Sequence, residues 1–167
     1  MASTHFDPTA FLDMPVEEAF EKRPPVPAQD YPAVIQSITP RQWTSKDKRY
    51  DSGPNAGQLK SGIAYDVKLE AEVPLDIRQS LGLKDDFKFI LTDSIMLDVN
   101  DRGGLSTDVG ANRQLRNYRE ALDMNKAGVT FRARDMEGRR LLVRVKHETY
   151  PEGSDNVQEK VAGVARL

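Results

Sequence analysis

Apolar and polar residues alternate along most of the chain that follows Tyr31. In the segment 63–71, every second residue is apolar, and the residues between them are small or charged. A period of two residues is typical of a strand with one face in a core and the other face in water. Strands are also predicted by the patterns of the segments 33–43, 87–99, 141–146 and 157–164.

Two segments have helical spacing. The segment 75–81 is expected to form a short helical turn that ends at Gly82. Between Asp108 and Met124, apolar residues recur at three- and four-residue spacing, which predicts a helix with Asp108 as its N-cap. The segment 87–99 is either one long strand or two strands broken near its middle.

The order of these elements is three strands, a helix and two strands. This order predicts a mainly β fold, a small five-stranded OB-like barrel with a helix between strands three and four. Other all-β or α+β arrangements fit the same order. The region 75–99 also contains one element more than the simplest barrel. We assign residues 31–167 to this domain, and we expect Pro40 to bend the first strand or place it at an edge.

Residues 1–30 differ in composition and are assigned to an N-terminal arm. They contain five of the ten prolines, and a short helix is expected over 15–22 with Pro15 in its first turn. The arm either packs its phenylalanines on its own domain or docks on a neighbouring copy, and the pattern favours neither. These phenylalanines are Phe6, Phe11 and Phe20.

Composition excludes several classes of site. The chain has no cysteine and two histidines, so disulfides, thiolate nucleophiles and typical zinc sites are not expected. No segment approaches the roughly 18 apolar residues of a membrane span, and the N-terminus lacks the pattern of a signal peptide. We expect no membrane association, and location in the cytoplasm of the cell that makes the protein. Motifs of common enzymes are also missing, so we predict no catalytic residues, no metal and no cofactor.

Charge is concentrated in one region. Residues 113–146 contain ten Arg or Lys against four acids, a local balance of +6 in a chain whose net charge is −2. A basic segment of this kind is typical of proteins that bind polyanions.

The loop after the first strand has the composition of a single-stranded nucleic-acid site. Cations that neutralise phosphates lie beside aromatic rings that stack on unpaired bases for about 1 to 3 kcal/mol per base. Packing of the tryptophan in the core is the alternative. The candidate residues are Trp43, Lys46, Lys48, Arg49, Tyr50 and Lys60.

A second candidate surface lies in the basic region. Arg144 and Lys146 alternate with valines, so their side chains are expected on the strand face away from the core, and Arg132 and Arg134 precede that strand. A solvated charged face without a ligand is the simpler interpretation of such a run.

Short phrases in this chain are similar to those of a known family. The Pro-rich lead PPVPAQDYPAVI, the helix LRNYREAL, the strand LLVRVKH and the closing NVQEKVAGV follow one another as in bacteriophage single-stranded-DNA-binding proteins of the OB-fold type, over about 26–164. This resemblance implies a non-sequence-specific single-stranded-DNA-binding protein of phage DNA replication or recombination. Self-association through the arm is a further expectation.

A second class of function also fits the chain. In this alternative, the protein is a structural or interaction component of a phage particle or complex. Its arm would then carry the docking function, and the basic face would serve solubility only.

Overall fold

The computed structural model describes residues 7–19 and 21–167. Its main element is an antiparallel sheet of five strands, with the hydrogen-bonded order third, second, first, fourth, fifth. The strands are β1 (Asp30–Arg49), β2 (Leu59–Ala71), β3 (Phe89–Leu97), β4 (Arg140–Thr149) and β5 (Val157–Ala165). The mainly β class predicted from the alternation is therefore confirmed.

Helices are short and lie between the strands. The described part of the chain contains α1 (Pro8–Leu12), α2 (Leu75–Ser80), α3 (Arg113–Ala121) and a 3-10 turn, Ala133–Met136. The helix α2 lies where the sequence predicts a helical turn, and Gly82 has a positive φ of 64° just after it. The helix α3 lies between β3 and β4, as the order of the elements predicts.

One face of the sheet carries the core. The alternation predicted for 63–71 is confirmed in β2, because Val67 and Leu69 are fully buried and the intervening Lys68 is exposed. From α3, Leu115 and Tyr118 join the same core. Burial of this kind contributes about 25 cal/mol per Å² of apolar area, so the pattern of inward residues determines which side of each strand faces solvent.

The first strand extends beyond one of its two partners. Pairing between β1 and β4 covers only Asp30–Val34 on β1, whereas pairing with β2 continues to Arg49. Pro40 therefore has a single neighbouring strand, so its missing N–H costs no ladder hydrogen bond. The predicted edge position of Pro40 is confirmed.

The two outer strands of the sheet approach each other without pairing. Residues of β3 and β5 come within 8 Å between Cα atoms, and α3 contacts both strands. In the described part of the chain, no ladder of hydrogen bonds joins β3 to β5. Closure into an OB-like barrel therefore stays a prediction.

A buried tyrosine and a half-buried aspartate form a hydrogen bond beside this open seam. The Tyr118 hydroxyl donates to Asp93 Oδ2 at 2.9 Å, and both side chains lie between β3 and α3. Burial raises the pKa of the Asp93 carboxyl, although the hydrogen bonds from Tyr118 and from the Ser94 backbone act in the opposite direction. Burial likewise raises the pKa of the Tyr118 hydroxyl.

Two predicted helix starts are wrong. The arm helix is Pro8–Leu12 instead of 15–22, because Asp7 Oδ1 accepts from the N–H groups of Thr9 and Ala10 and caps it. The helix α3 begins at Arg113 instead of after Asp108. Its N-cap residue is Asn112, in the left-handed region with φ 50°.

The position of Asn112 follows from reciprocal hydrogen bonds with the end of β3. Its backbone N–H donates to Asp98 Oδ2 at 2.7 Å, and the Asp98 N–H donates to Asn112 Oδ1 at 2.9 Å. Asn112 Nδ2 also donates to the carbonyls of Asp98 and Ser106. These bonds connect the start of α3 to the last residues of the sheet.

The second half of the arm packs on its own domain. Arg23 forms two hydrogen bonds, 2.7 and 2.8 Å, to the Glu159 carboxylate on β5, and the Val26 N–H donates to the same carboxylate at 2.7 Å. Val26 is fully buried, and its carbonyl contacts His147 Nε2 at 2.7 Å. Although burial opposes ionisation of Glu159, the hydrogen bonds from Arg23 and Val26 outweigh it and lower the pKa of this carboxyl. Residues 22–29 are thus part of the folded unit.

The first half of the arm is more exposed. Phe11 is 63% exposed, while Phe6 and Phe20 lie outside the described residues. No helix in the described ranges is long and apolar enough to cross a membrane.

Candidate nucleic-acid interface

The first two strands form a ribbon that projects from the sheet. Pairing of β2 with β3 ends at Ile63, and pairing of β1 with β4 ends at Val34. Residues 43–62 therefore pair only with each other, and we call them the ribbon. Among the described residues, no third strand pairs with the ribbon, so a ligand can approach either of its faces.

The ribbon begins with a close contact between Trp43 and Gly62. These residues lie opposite each other, and a Cβ atom on Gly62 would be 3.0 Å from Trp43 Nε1 and 3.1 Å from Cε2 and Cζ2. The indole therefore occupies the space that any other side chain at position 62 would fill. Trp43 remains half-buried, so part of the ring is open to a ligand. Its position on the outer face of the sheet shows that it is not a core residue.

A polar network continues this outer face away from Trp43. Arg41 Nε donates to Asp66 Oδ2 at 2.7 Å, and Ser94 Oγ donates to Asp66 Oδ1 at 2.6 Å. The Ser94 hydrogen bond, followed by the pairing with Arg41, keeps the pKa of Asp66 below its ordinary value. The network holds the Arg41 guanidinium on the same face as the indole.

No carboxylate of the described residues forms an ion pair with a cation of the ribbon. Lys46 and Lys48 lie in a bulge of β1, between the pairs Thr44 with Ser61 and Arg49 with Leu59, and both are exposed. Within the described ranges, the ammonium groups of Lys46, Lys48 and Lys60 form no ion pair and no hydrogen bond. These charges are therefore available to an external anion.

Arg49 and Tyr50 close the ribbon at its tip. The Arg49 guanidinium donates to the Gly57 carbonyl at 2.7 Å, and the Tyr50 hydroxyl donates to the Ser61 carbonyl at 3.1 Å. Arg49 retains its net charge because its partner is a neutral carbonyl. The Tyr50 side chain is half-buried, and its hydroxyl reaches across the ribbon to β2.

The second candidate surface has a different electrostatic character. Arg144 donates to both oxygens of Asp30, its cross-strand neighbour, at 2.9 and 3.3 Å. Lys146 forms an ion pair of 2.5 Å with Glu148 on the same strand face. The hydrogen bond from Arg144 lowers the pKa of Asp30. Both cations are exposed, as predicted, but neighbouring acids offset their charge.

Arg132 and Arg134 lie beside the middle of β1. The chain from the 3-10 turn to β4 is bound to β1 through Gly138 N–H to the Ile35 carbonyl, 2.8 Å, and Ile35 N–H to the Arg139 carbonyl, 3.0 Å. Arg132 and Arg134 are exposed next to this connection. They lie on the side of β1 where β4 has ended.

The structure does not bring all predicted residues to one point. At roughly 3.3 Å per residue, the part of β1 between Asp30 and Trp43 is about 40 Å long. Arg144 lies at the first end of that stretch and the ribbon at the other end. The ribbon residues are one cluster, whereas Arg144 and Lys146 belong to a separate surface.

Several residues of the ribbon face were not predicted from sequence. Gly62, Ala64, Asp66 and Ser94 share a face with Trp43 because of the register between β1, β2 and β3. Ala64 is fully buried although it lies on the outer face, so larger neighbours such as Arg41 cover it. One signal was present in the sequence, since a glycine inside a strand often marks close approach of another group.

Two comparisons of this chain with known proteins found no match. No protein-family model matches the chain, and no curated protein matches it at a significant level. The chemistry of the ribbon is therefore the basis for assigning a function.

Proposed function

We propose that this protein binds single-stranded DNA without sequence specificity and acts in phage DNA replication or recombination. The observation that carries the proposal is the accessible indole of Trp43 over Gly62, in a ribbon whose lysines have no carboxylate partner among the described residues. The resemblance to phage single-stranded-DNA-binding proteins supports the biological setting.

The two kinds of side chain have different tasks in this proposal. An unpaired base stacks on the open part of the Trp43 ring, and stacking is worth about 1 to 3 kcal/mol whichever base is present. Lys46, Lys48 and Arg49 contact phosphates, and the release of counterions from the strand drives this part of binding. None of these contacts reads a base edge, which accounts for the lack of sequence preference.

A preference for single strands follows from the same geometry. Bases in a duplex stack on each other and are paired, so an aromatic ring on a sheet surface reaches them only after they unstack, which costs a few kcal/mol. The cations alone still attract a duplex. We therefore expect a duplex to bind more weakly than a single strand. Its whole affinity should depend on salt, because only the contacts between cations and phosphates contribute to it.

We further propose that the sheet is an OB-type barrel whose β3 and β5 edges meet at α3. The strand order supports this, as does the approach of β3 to β5 within 8 Å between Cα atoms. In OB folds, the loop between the first two strands and the face of the second and third strands bind single-stranded nucleic acid. The ribbon and the Arg41 network occupy the corresponding places in this chain.

An interaction role is the second candidate, and the exposed arm favours it. Leu12, Met14 and Val16 are 85%, 59% and 63% exposed within five residues, and grouped exposed apolar side chains often mark an interaction site. This role is compatible with DNA binding, because the arm and the ribbon are different parts of the chain.

Binding of labelled oligonucleotides tests the proposal. We expect a long oligothymidine to bind more tightly than a duplex of the same length, with a log–log salt slope of about −0.7 per phosphate contact. An RNA oligonucleotide of the same length measures the preference for sugar type. Failure to bind oligothymidine at low salt, with the protein shown to be folded by circular dichroism, would falsify the proposed function.

A further inference from the structure

The described start of the arm combines exposed apolar side chains with negative charge. Leu12, Met14 and Val16 occupy alternate positions and are 85%, 59% and 63% exposed. Residues 7–19 contain four acids and no Lys or Arg. Leu12 is the last residue of α1, Asp13 is its C-cap, and the chain continues through Val16 without regular secondary structure. Short segments that present several apolar side chains are common ligands for grooves with apolar pockets.

The base of the arm is fixed, so the exposed segment leaves the domain from a defined point. Arg23 is held by Glu159, and its guanidinium carbon lies 5.3 and 5.7 Å from the ring centroids of Phe87 and Phe89. From residue 21 to Leu12, the extended chain spans up to about 30 Å at roughly 3.4 Å per residue. This reach is sufficient to contact a neighbouring molecule.

A groove of complementary character lies on the outer side of α3. Its volume is about 570 Å³, and its walls are the loop 105–112, the helix and the segment 125–131. Val109 and Val129 on its rim are fully exposed and 57% exposed. Its charged lining residues are Arg116, Arg119 and Asp108.

Arg119 lies on the floor of this groove and forms no ion pair with a carboxylate of the described residues. Its guanidinium carbon lies 4.4 Å from the centroid of the Phe131 ring, and its Nη2 donates to the Met124 carbonyl. Arg116 is paired at 3.5 Å with Glu120, and the exposed Arg113 lies one turn earlier on the same helix. Apolar walls with arginines suit an apolar, acidic peptide.

We propose that the segment 12–16 of one molecule binds in the α3 groove of a second copy of this chain. The donor segment and the acceptor groove are different surfaces, so the contact is head-to-tail and does not close on itself unless a ring forms. Such an arrangement produces chains of molecules, which would place neighbouring copies along a bound strand. The contact itself requires no DNA.

Sedimentation velocity and light scattering on the full-length protein without DNA test this contact. The arm variant Leu12→Asp with Val16→Asp and the groove variant Val109→Asp with Val129→Asp each change only exposed positions. We expect the mass of the unmodified protein to rise beyond that of a dimer with concentration, and each variant alone to remain monomeric. The matched control is Leu75→Asp, which is 55% exposed on α2 and should associate like the unmodified protein.

A mixture of the two variants provides the decisive measurement. The arm variant keeps an intact groove, and the groove variant keeps an intact arm. An equimolar mixture of the two should therefore form dimers but no larger assemblies. The proposal would be overturned if the unmodified protein stays monomeric at all concentrations. This includes the case in which each molecule binds its own arm in its own groove. A mixture that fails to pair, or a groove variant that associates normally, would also overturn it.

Discussion

The indole of Trp43 lies directly against the Cα atom of Gly62 on the neighbouring strand, so close that a Cβ at position 62 would be 3.0 Å from Nε1. Trp43 Nε1 is buried, and none of the described residues accepts a hydrogen bond from it. The side chain as a whole is half-buried on the outer face of the sheet, so its exposed part is where an unpaired base would stack.

Substitution Gly62→Ala tests the role of the ring position. The added Cβ would lie 3.0 to 3.1 Å from three indole atoms, so the ring must shift by a few tenths of an ångström to accommodate it. We expect the affinity for oligothymidine to fall, by at most about tenfold, because stacking contributes about 1 to 3 kcal/mol per base. The salt slope should stay unchanged, since no phosphate contact is lost. Gly163→Ala is the matched control, because a Cβ there meets no atom within 4 Å. Equal affinity of both variants would show that the Trp43 ring does not contact DNA.

The cations of the ribbon are expected to contribute more than those of β4. Replacement of Lys46, Lys48 and Arg49 by Ala should lower both the affinity and the magnitude of the salt slope. The slope should decrease by roughly two units, because each of the three lost phosphate contacts contributes about 0.7. The paired cations Arg144 and Lys146 provide the comparison, and their replacement by Ala should change the slope less. Fluorescence anisotropy at a series of salt concentrations measures both quantities. A larger loss from the β4 variant would place the DNA on the second surface.

The Asp93 carboxyl should make stability fall as pH rises. Its pKa is raised above 3.8, so the folded protein binds this proton more tightly than the unfolded chain does. Stabilisation by the protonated form is fully present below 3.8 and is lost as pH rises through the folded pKa. Asp93→Asn keeps an oxygen acceptor for the Tyr118 hydroxyl and removes the buried charge.

We therefore expect Asp93→Asn to increase the free energy of unfolding at neutral pH and to remove this part of its pH dependence. Urea denaturation at several pH values measures both effects. The exposed Asp155→Asn serves as control. A variant that is less stable than the unmodified protein at neutral pH would contradict the prediction.

Two truncations distinguish the halves of the arm. Removal of residues 1–20 should leave the domain folded with nearly unchanged stability, because the contacts of Arg23 and Val26 are retained. Removal of residues 1–24 should also leave a folded domain, but one less stable by about 1 kcal/mol, since the charged hydrogen bonds between Arg23 and Glu159 are lost.

Thermal denaturation of both truncated proteins measures this difference. Arg23→Ala in the full chain should reproduce the effect of the longer truncation. If the shorter truncation already unfolds, the first residues of the arm complete the core of their own domain, and docking on a neighbour is not their function.

The alternation of residues by itself predicted that five strands exist, but not how far the first two extend. Residues 44–49 and 59–62 were predicted as part of a loop and instead belong to β1 and β2, because each of these polar segments pairs with the other. Burial of one face imposes a period of two on a strand wherever it pairs, so 63–71 could be recognised without knowing its partners. The clustering of Lys46, Lys48 and Arg49 beside Tyr50 was likewise a local property of the chain. Helix starts were less predictable, because Asp108 and Asn112 are both good N-cap residues and only the bonds from Asn112 to Asp98 decide between them.

Only the tertiary structure decided which of these residues meet. Whether Trp43 packs in the core or lies on the surface depends on the register that sets it opposite Gly62, and register is a property of the paired strands. The same applies to Arg144, whose charge is offset because Asp30 lies opposite it on β1. Local sequence specifies which side of a strand a residue occupies, but the partner across the strand is chosen by the packing of the whole sheet.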